Sequence, residues 1–518
     1  MSSTAEALTA EQRCEVSEQW VDSDSNSQPQ PEQSAMRRDE AKKSAATIIV
    51  DAVLDEQNKS VELWHTEEGS CHMSLLYEDG HAVHFPMKAK ATRQYLQRLY
   101  HQQTGNAASP AAITTALATL EGYALEGPQY PVHVRIAALG DAIYVDLLDA
   151  TWEAIRITAE GWEIIKEPPV KFLRPRGLKP LPRPEVGGSL EELKPLLNIS
   201  DRETWLLVKG WLIGALSPHG PYAILAIAGE QGSAKTWLEK TLKSIIDPST
   251  LPTRGPPRST DDLMTSANAN HILSYDNLSR IKPWLSDNLC NLATGGGISK
   301  RELYSDMDET IIRVCRPIIL NGIEDIVTRQ DLLDRSIYIS MPRIPEEKRR
   351  PEAELIAKFE QLHPMILGAL LDSAVTGLQR KGSMSSAGLP RMADFAKYVM
   401  AALGDEGPEF LQAYKADKDR VVRDSLEGDP VVSALLEFID LKQGEWSGTA
   451  TELLGLLNAV SGYAYKRQPP GWPRAPNALS GILRRLAPAL PRIGLVIEFS
   501  RDESIQSRVI SIMRVAAV

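Results

Sequence analysis

The stretch AILAIAGEQGSAKT, residues 223–236, decides how the rest of the chain is interpreted. It begins with an apolar run of strand length, turns at two glycines, and continues from Lys235 and Thr236 into a segment with helical spacing. A strand, a glycine-rich loop and a helix offer a phosphate chain backbone N–H groups, a positive helix end, an ammonium and a hydroxyl. The stretch therefore predicts a P-loop that binds ATP with Mg²⁺. Its nucleotide-binding residues are Gly229, Gly232, Ser233, Ala234, Lys235 and Thr236.

Ala234 departs from the usual pattern of this loop, G-x-x-x-x-G-K-[ST], because it replaces the glycine before the lysine. An alanine is tolerated there if its φ is negative and costs stability if its φ is positive. The alternative to a nucleotide loop is a tight strand-to-helix turn that needs small residues. That alternative explains the glycines but not the pair Lys235 and Thr236.

Composition describes a globular protein of several domains. The chain has 518 residues, 43% hydrophobic and 24% charged, with a net charge of −11 and four cysteines. The apolar runs are too short to cross a membrane, and the N-terminus does not resemble a signal peptide, so a cytoplasmic protein without membrane partners is expected. The cysteine spacing indicates neither a disulfide framework nor a zinc ribbon, and the histidines near residues 65–84 fit no common zinc site.

Composition and periodicity divide the chain into five segments. They are a disordered acidic tail (1–45), an N-terminal α+β domain (46–185), an ATPase core (186–345), a helical lid or spacer (346–428) and a C-terminal winged-helix DNA-binding domain (429–518). Within the second segment, residues 91–103 have helical spacing with Arg and Gln as the solvent-facing residues. The basic, proline-rich run 174–184 is predicted to be a linker.

Two further apolar strands of the core end in polar residues. The strand 271–275 is followed by Asp276 and Asn277, and the strand 317–320 by Asn321. An acid beside the phosphate loop can hold Mg²⁺, and an amide at a strand tip can place a water in line with the γ-phosphate. Asn277 occupies the position at which related ATPases carry a second acid, so hydrolysis is either slow or served by another carboxylate, Glu230 or Asp262.

Arg335 and a basic hairpin complete the predicted core. Arg335 follows Asp331 and precedes a strand, where it either completes the site of a neighbouring subunit or forms a helix-end salt bridge with Asp331. Residues 292–304 contain three glycines followed by Lys300 and Arg301, which suit a mobile loop that grips a DNA backbone or, alternatively, a solvated hairpin.

These motifs, in this order, resemble superfamily 3 helicases, and most of all the primase–helicase branch of poxviruses, phages and mobile elements. The resemblance covers about residues 195–345. It implies an AAA+-type α/β core, a homo-oligomeric and hexameric ring, ATP sites between subunits, and basic hairpins that line a channel for single-stranded or forked DNA. Under it, Asp276, Asn321 and Arg335 are catalytic, with Thr236 and Asp276 as the Mg²⁺ ligands.

The C-terminal segment favours nucleic acid as its partner. Residues 441–518 hold ten basic residues against five acidic ones, within an acidic protein. Three helices and a hairpin resemble a winged helix, whose third helix carries Arg484 and Arg485 toward DNA.

The sequence thus predicts an ATP-dependent DNA helicase or translocase that acts in replication of a phage or mobile element. The first alternative is a nucleotide-gated DNA-binding regulatory ATPase with weak hydrolysis, which Asn277 favours. The second is a primase fused to the helicase, with Asp146 and Asp149 binding metal. Their spacing puts these two carboxylates on opposite faces of a strand, which favours a structural role instead.

Overall fold

A computed structural model describes most of the chain from Lys43 onward. The described residues are 43–55, 60–301, 309–312, 314–323, 326–327, 329–382, 388–463, 467–469, 471–502 and 507–515. The side chains of 298–301, 309–312, 425, 502 and 507 are outside the description. The predicted acidic tail therefore lies outside the described residues except for its last three positions.

The segment that follows the tail forms a helical layer on a small antiparallel sheet. Its elements are α1 (Ala45–Leu54), β1 (Val61–His65), β2 (Cys71–Leu76), β3 (Ala82–Pro86), α2 (Lys90–Thr104) and α3 (Pro110–Glu126). The sheet order is β1-β2-β3, and apolar residues of α1 and α3 pack on it. The helix over 91–103 was predicted, whereas α1 and α3 were not.

A second sheet joins this segment to the core. Its strands and the neighbouring short pair are β4 (Val132–His133), β5 (Ile136–Leu139), β6 (Ala142–Asp146), β7 (Ala154–Thr158), β8 (Gly161–Ile165) and β9 (Lys171–Phe172). Strands β5 to β8 form an antiparallel meander, and β4 pairs with β9 in parallel. Apolar residues of β5 to β7 share one hydrophobic cluster with the helices and strands that follow the 174–184 run, and Leu181 of that run is buried in the same cluster.

The centre of the chain is a parallel sheet with helices around it. Its elements are α4 (Arg202–Ala215), β10 (Ile224–Gly229), α5 (Lys235–Ile246), α6 (Thr260–Ala269), β11 (Leu273–Leu278), α7 (Pro283–Thr294), β12 (Ile298–Arg301), β13 (Glu309–Ile312), β14 (Ile318–Gly322), α8 (Gln330–Leu333) and β15 (Ser336–Met341). The parallel strand order is β11-β14-β10-β15, and β12 pairs with β13 as a separate antiparallel hairpin. All five residues Ile224–Ala228 are buried, as expected for a central parallel strand.

The last part contains a helical segment and a small α/β segment. Its elements are α9 (Glu352–Arg380), α10 (Ala393–Leu403), α11 (Gly407–Glu427), α12 (Pro430–Leu441), β16 (Glu445–Thr449), α13 (Ala450–Val460), α14 (Pro476–Leu486), β17 (Leu495–Asp502) and β18 (Ser507–Arg514). Strands β16, β18 and β17 form an antiparallel sheet in that order, on which α12, α13 and α14 share one apolar cluster. The three helices and the final hairpin were predicted, and β16 was not. Among the described residues, no helix is both long and apolar enough to span a membrane.

Candidate functional site

The glycine-rich loop leaves β10 at Gly229 and enters α5 at Lys235. Gly229 has a φ of 150°, and a Cβ on it would lie 2.4 Å from the carbonyl oxygen of Met341, so only glycine fits there. The amide of Asn198 holds the loop from outside, since its Nδ2 donates to the carbonyl of Ser233 at 3.1 Å. The loop is therefore a defined structure fixed by its neighbours.

Ala234 lies at the start of α5 in the left-handed region, with a φ of 64° and a ψ of 30°. Positive φ costs an alanine about 1 kcal/mol relative to glycine. The sequence left open whether the φ of Ala234 is negative or positive, and in the structure it is positive, which is the strained case. Strain of this kind is retained where the surrounding structure requires that conformation, often at functional sites.

Lys235 turns back onto its own loop. Its Nζ donates to the carbonyls of Gly229 at 2.7 Å and Glu230 at 2.9 Å. Partial burial lowers the pKa of this ammonium. The lysine therefore lies over the concave side of the loop, within a side-chain rotation of any anion that replaces these carbonyls.

Three predicted residues come together at the carboxyl edge of the parallel sheet. The register pairs Tyr275 with Leu320, which sets Asp276 beside Asn321. The Nδ2 of Asn321 lies 2.7 Å from Asp276 Oδ1, and the hydroxyl of Thr236 lies 3.1 Å from Asp276 Oδ2. We call Thr236, Asp276, Asn321 and Glu239 the carboxyl-edge cluster.

Glu239, the fourth member, was missed by the sequence interpretation. It is fully buried one turn after Lys235 on α5, where Ser274 and Asn321 both donate to its carboxylate, the latter at 2.9 Å. Burial raises the pKa of this carboxyl to about 7, against 4.5 for a free glutamate. The sequence signal that could have revealed Glu239 is its position, since it is a glutamate on the apolar face of α5, one helical turn after the loop.

Asn277 is exposed and has a φ of 57°, within an irregularity of β11 between Tyr275 and Leu278. Its backbone N–H donates to Asp276 Oδ1 at 2.7 Å. Asparagine is among the few non-glycine residues that adopt this conformation readily. The positive φ therefore explains why an asparagine occupies position 277, and this angle could not be read from the sequence. Of the other acids considered for this role, Asp262 accepts the N–H of Arg258 at the start of α6.

The residues present suit a bound phosphate chain with Mg²⁺. The first helical N–H groups of α5 lie at the loop, where they can donate hydrogen bonds to an anion. A hydroxyl and a carboxylate are hard oxygen donors of the type that Mg²⁺ prefers. The Oδ1 of Asn321 is buried without a hydrogen-bond partner among the described residues, so the cluster keeps an unused acceptor.

Arg349 is a second cation at the loop and was also missed. Its Nη2 lies 3.7 Å from the position that a Cβ on Gly232 would take. The same segment approaches the loop through Ile344, whose N–H donates to the carbonyl of Gly232 at 3.1 Å. The guanidinium is about half exposed, with Glu346 at 3.7 Å. The sequence pattern does not predict that Arg349 lies near the loop, because the turn that follows β15 brings residue 349 there.

Arg335 lies at the opposite edge of the sheet. The register pairs Ser336 with Ile224 and Met341 with Gly229, so Arg335 is about 20 Å along the strands from the loop. Its guanidinium is paired with the Asp331 carboxylate and donates to the Asp331 carbonyl at 2.9 Å, while its Nε is buried without a partner among the described residues. Arg391 shares the same carboxylate at 3.1 Å. Within one chain Arg335 is therefore not part of the carboxyl-edge cluster, and the helix-end salt bridge foreseen as its alternative role is present.

The predicted DNA-contacting residues lie in two other places. Lys300 and Arg301 belong to β12, for which the backbone alone is described, so their side-chain role stays a prediction. Arg484 and Arg485 are exposed in the last turn of α14. The guanidinium of Arg484 lies 4.8 Å from the ring centroid of Phe499 on β17, beside a hollow of about 270 Å³ that Arg508 also lines.

The carboxylates considered for a primase site have structural partners. Asp146 is buried and forms an ion pair with Arg174 at 2.6 Å, and Asp149 accepts the N–H of Glu153 at 2.9 Å. Over the part of the chain with described placement, there is no group of three or more His, Cys, Asp or Glu residues that could hold a metal ion. No primase site is proposed for these residues.

Comparison with solved structures returns distant matches. Two structures of the C-terminal region of NrS-1, both without ligand, match with 14% identity and a TM-score of 0.42. The first match covers 89% of this chain and 98% of the other, and the second covers 90% and 99%. These values are too low to support an inference about function. No curated protein matches the chain.

Two family models match the chain, and both describe the same group of proteins. Residues 190–424 match the actinomycete integrative conjugative element replication protein family, and residues 431–517 match the C-terminal domain of the same RepA proteins. Together the two matches cover more than half of the chain, in the order expected of one protein. The chain belongs to the RepA family of replication proteins of actinomycete integrative conjugative elements.

Proposed function

We propose that this replication protein is an ATP-driven DNA helicase or translocase. In this proposal the core is of the AAA+ type and assembles as a ring, as in superfamily 3 helicases, and the C-terminal segment is a winged helix that contacts DNA. The observation that carries the proposal is the carboxyl-edge cluster, in which Thr236, Asp276 and Asn321 meet within 3.4 Å of one another beside the loop of Lys235.

Each side chain of the site has a distinct role in this proposal. Lys235 exchanges its loop carbonyls for phosphate oxygens, and Thr236 and Asp276 hold Mg²⁺. When bound, Mg²⁺ neutralises charge on the phosphate oxygens. Asn321 orients the attacking water, because its amide both donates and accepts hydrogen bonds. The buried Glu239 fixes the amide plane of Asn321 from behind.

Arg335 completes the site of a second copy of the chain. It lies on the far edge of the sheet, so it can reach a γ-phosphate only from a neighbouring subunit, after leaving Asp331. Developing negative charge on the transferred phosphoryl group is stabilised by such an arginine. A closed ring supplies every site with one arginine from its neighbour, which is the reason to propose a homo-oligomer and, from the resemblance, a hexamer.

The C-terminal segment supplies a DNA contact. Its element order, helix–strand–helix–helix–strand–strand, matches a winged helix, in which α14 faces DNA and the β17–β18 hairpin forms the wing. Arg484 lies between the two, against Phe499. The β12–β13 hairpin of the core is the proposed channel contact.

The first test replaces Lys235 by alanine in the full chain. We expect ATP hydrolysis and ATP-dependent displacement of a strand from forked DNA to be lost, since the phosphate loop loses its ammonium. The matched control is Lys240→Ala on the same helix, which removes only a surface contact with Glu352 at 3.3 Å and leaves both activities intact. Full ATPase activity in the Lys235→Ala protein would overturn the proposal.

A second function, a nucleotide-gated DNA-binding regulator with weak hydrolysis, is favoured by one further observation. Ala234 and Asn277 both have positive φ at the positions where the site departs from related ATPases. A backbone fixed in this way suits binding better than turnover, because neither residue supplies a base. This function predicts that ATP changes DNA affinity while forked DNA stays paired. Strand displacement at a rate that follows ATP hydrolysis would exclude it.

A further inference from the structure

We propose that α2 carries a surface that binds duplex DNA, in a part of the chain to which no function has been assigned. We call this surface the α2 basic face. Its members are Lys90, Arg93, Gln94, Gln97, Arg98 and His101. The proposal is independent of the ATP site and of the C-terminal arginines.

The sequence around α2 is unusual for an acidic protein. Residues 80–120 contain no aspartate or glutamate, although the whole chain has a net charge of −11. The same 41 positions hold four lysines and arginines, Lys88, Lys90, Arg93 and Arg98. Lysine and arginine are therefore the charged residues of this window, and local charge rather than net charge decides whether a surface attracts a polyanion.

The helix arranges these residues on one side. Positions 90, 94, 98 and 101, together with 93 and 97, follow the three- and four-residue spacing of a single helical face. Lys90, Arg93 and Arg98 are exposed, while Leu96 on the other side is fully buried. The face borders a shallow, open depression of about 730 Å³ that Ala107, Pro110 and Ile113 also line.

Ion pairs within the described part of the chain do not hold the cations of this face. Lys90, Arg93 and Arg98 form no ion pair with any residue whose placement is described, and Arg98 lies over the ring of Tyr95 at 5.8 Å. Lys90 stands at the N-terminal end of α2, which has no acidic residue in its first turn and no capping side chain. A cation at that end opposes the helix dipole. The carboxylates of Glu78 and Asp79 line an adjoining hollow with Arg98.

The dimensions and chemistry fit duplex DNA better than a single strand. The face from Lys90 to His101 is about 16 Å long, and the major groove of B-DNA admits a helix of this kind. Arginine and glutamine are the side chains that pair with phosphates and with base edges there. A single strand is bound largely by stacking on aromatic rings, whereas Tyr95 and Tyr100 of α2 pack against the hydrophobic cluster instead.

The experiment uses the full chain with Lys90, Arg93 and Arg98 all replaced by alanine. Binding to a fluorescent duplex of about 20 base pairs is measured without nucleotide, over a range of salt concentrations. If the three cations each contact a phosphate, affinity falls by about 100-fold at 0.15 M salt, and the slope of log K against log salt is reduced by about 2.7. The three cations are exposed, so the fold is expected to survive, which circular dichroism checks.

The matched control also removes three cations, Arg156, Lys240 and Arg202, which pair with Glu163, Glu352 and Glu409. It should leave duplex affinity within about threefold, because surface ion pairs contribute little. Unchanged duplex affinity in the α2 variant overturns the proposal. An equal loss for a single-stranded oligonucleotide overturns its assignment to duplex DNA. A Lys235→Ala chain that binds duplex normally separates this surface from the ATPase proposal.

Discussion

The two edges of the parallel sheet differ in how complete they are. At the carboxyl edge, Thr236, Asp276, Asn321 and Glu239 already contact one another beside the loop. At the amino edge, Arg335 is held by Asp331 and lies about 20 Å away along the strands. The carboxyl edge is assembled within a single chain. At the amino edge, Arg335 is too far from the loop to reach a phosphate bound there in the same chain.

This difference between the edges suggests which step of the proposed reaction depends on assembly. Under the proposed function, nucleotide binding would depend on contacts that one chain makes alone, so it should need no assembly. Hydrolysis would depend on an arginine that leaves Asp331 and reaches another subunit, so it should need a second copy. The predictions that follow test this division between the edges, from the largest expected effect to the smallest.

Arg335→Ala is expected to lower the ATPase rate by about 10³-fold or more, the effect of losing an arginine that stabilises the transition state. Nucleotide binding, measured with a fluorescent ATP analogue, should stay within about threefold. Arg391→Ala is the matched control, since Arg391 contacts the same Asp331 carboxylate. An equal loss in both variants would show that Asp331, rather than Arg335, is the important partner.

Asn321→Ala is expected to lower kcat by about 10²-fold, because the proposed water loses its amide partner. Unlike Arg335→Ala, this change should also reduce the free energy of unfolding by about 1–3 kcal/mol, since Glu239 loses a buried donor. Steady-state kinetics and urea unfolding measure the two effects. Asn288→Ala on α7, where the Asn288 amide donates to the Trp284 carbonyl at 2.7 Å, should change neither by a comparable amount.

Glu239→Gln tests the pH dependence of the carboxyl edge. Because the pKa of Glu239 is raised to about 7 in the folded state, the folded chain keeps a proton that the unfolded chain releases near pH 4.5. This group's contribution to stability is therefore complete below pH 4.5 and is lost as the pH rises to 7, by at most about 3 kcal/mol. The glutamine variant should lose that part of the pH dependence. The exposed Glu230→Gln protein should keep it, and identical profiles for wild type and Glu239→Gln would contradict the burial argument.

Ala234→Gly has the smallest expected effect. Glycine relieves the positive φ of residue 234, so the free energy of unfolding should rise by up to about 1 kcal/mol. The same substitution at the exposed Ala118 of α3 should lower it by about 1 kcal/mol, because φ is negative in a helix. Urea unfolding of both variants gives the comparison. Destabilisation by Ala234→Gly would show that the methyl group packs favourably despite the strain.

Much of the central sheet could be predicted because its strands carry continuous apolar runs that end in polar residues. The positions of Asp276 and Asn321 follow from that rule, since parallel strands end at one edge. The small-residue helix α3, with its long run of alanine and threonine, gave no clear apolar stripe and was missed. Strand β16 was missed because it is short and only half-buried.

The parts of the site that sequence could not supply depend on contacts distant in the chain or on backbone angles. Arg349 reaches the loop from more than a hundred residues away, and no spacing rule connects it to Gly232. The φ of Ala234 and the φ of Asn277 decide how their side chains are interpreted, and neither angle can be read from residue type. Glu239 was overlooked because a glutamate in a helix is usually exposed.

The most direct test of the division between the edges is to mix two inactive variants, Lys235→Ala and Arg335→Ala. Each protein alone lacks one half of every site. In a mixture, an intact loop from the Arg335→Ala chain can meet an intact arginine from the Lys235→Ala chain. Random assembly at equal concentrations then makes about one quarter of the interfaces complete. We predict that ATPase activity returns on mixing toward that fraction of the wild-type rate. No recovery at any ratio, with both variants folded and co-assembled, would contradict a site shared between subunits.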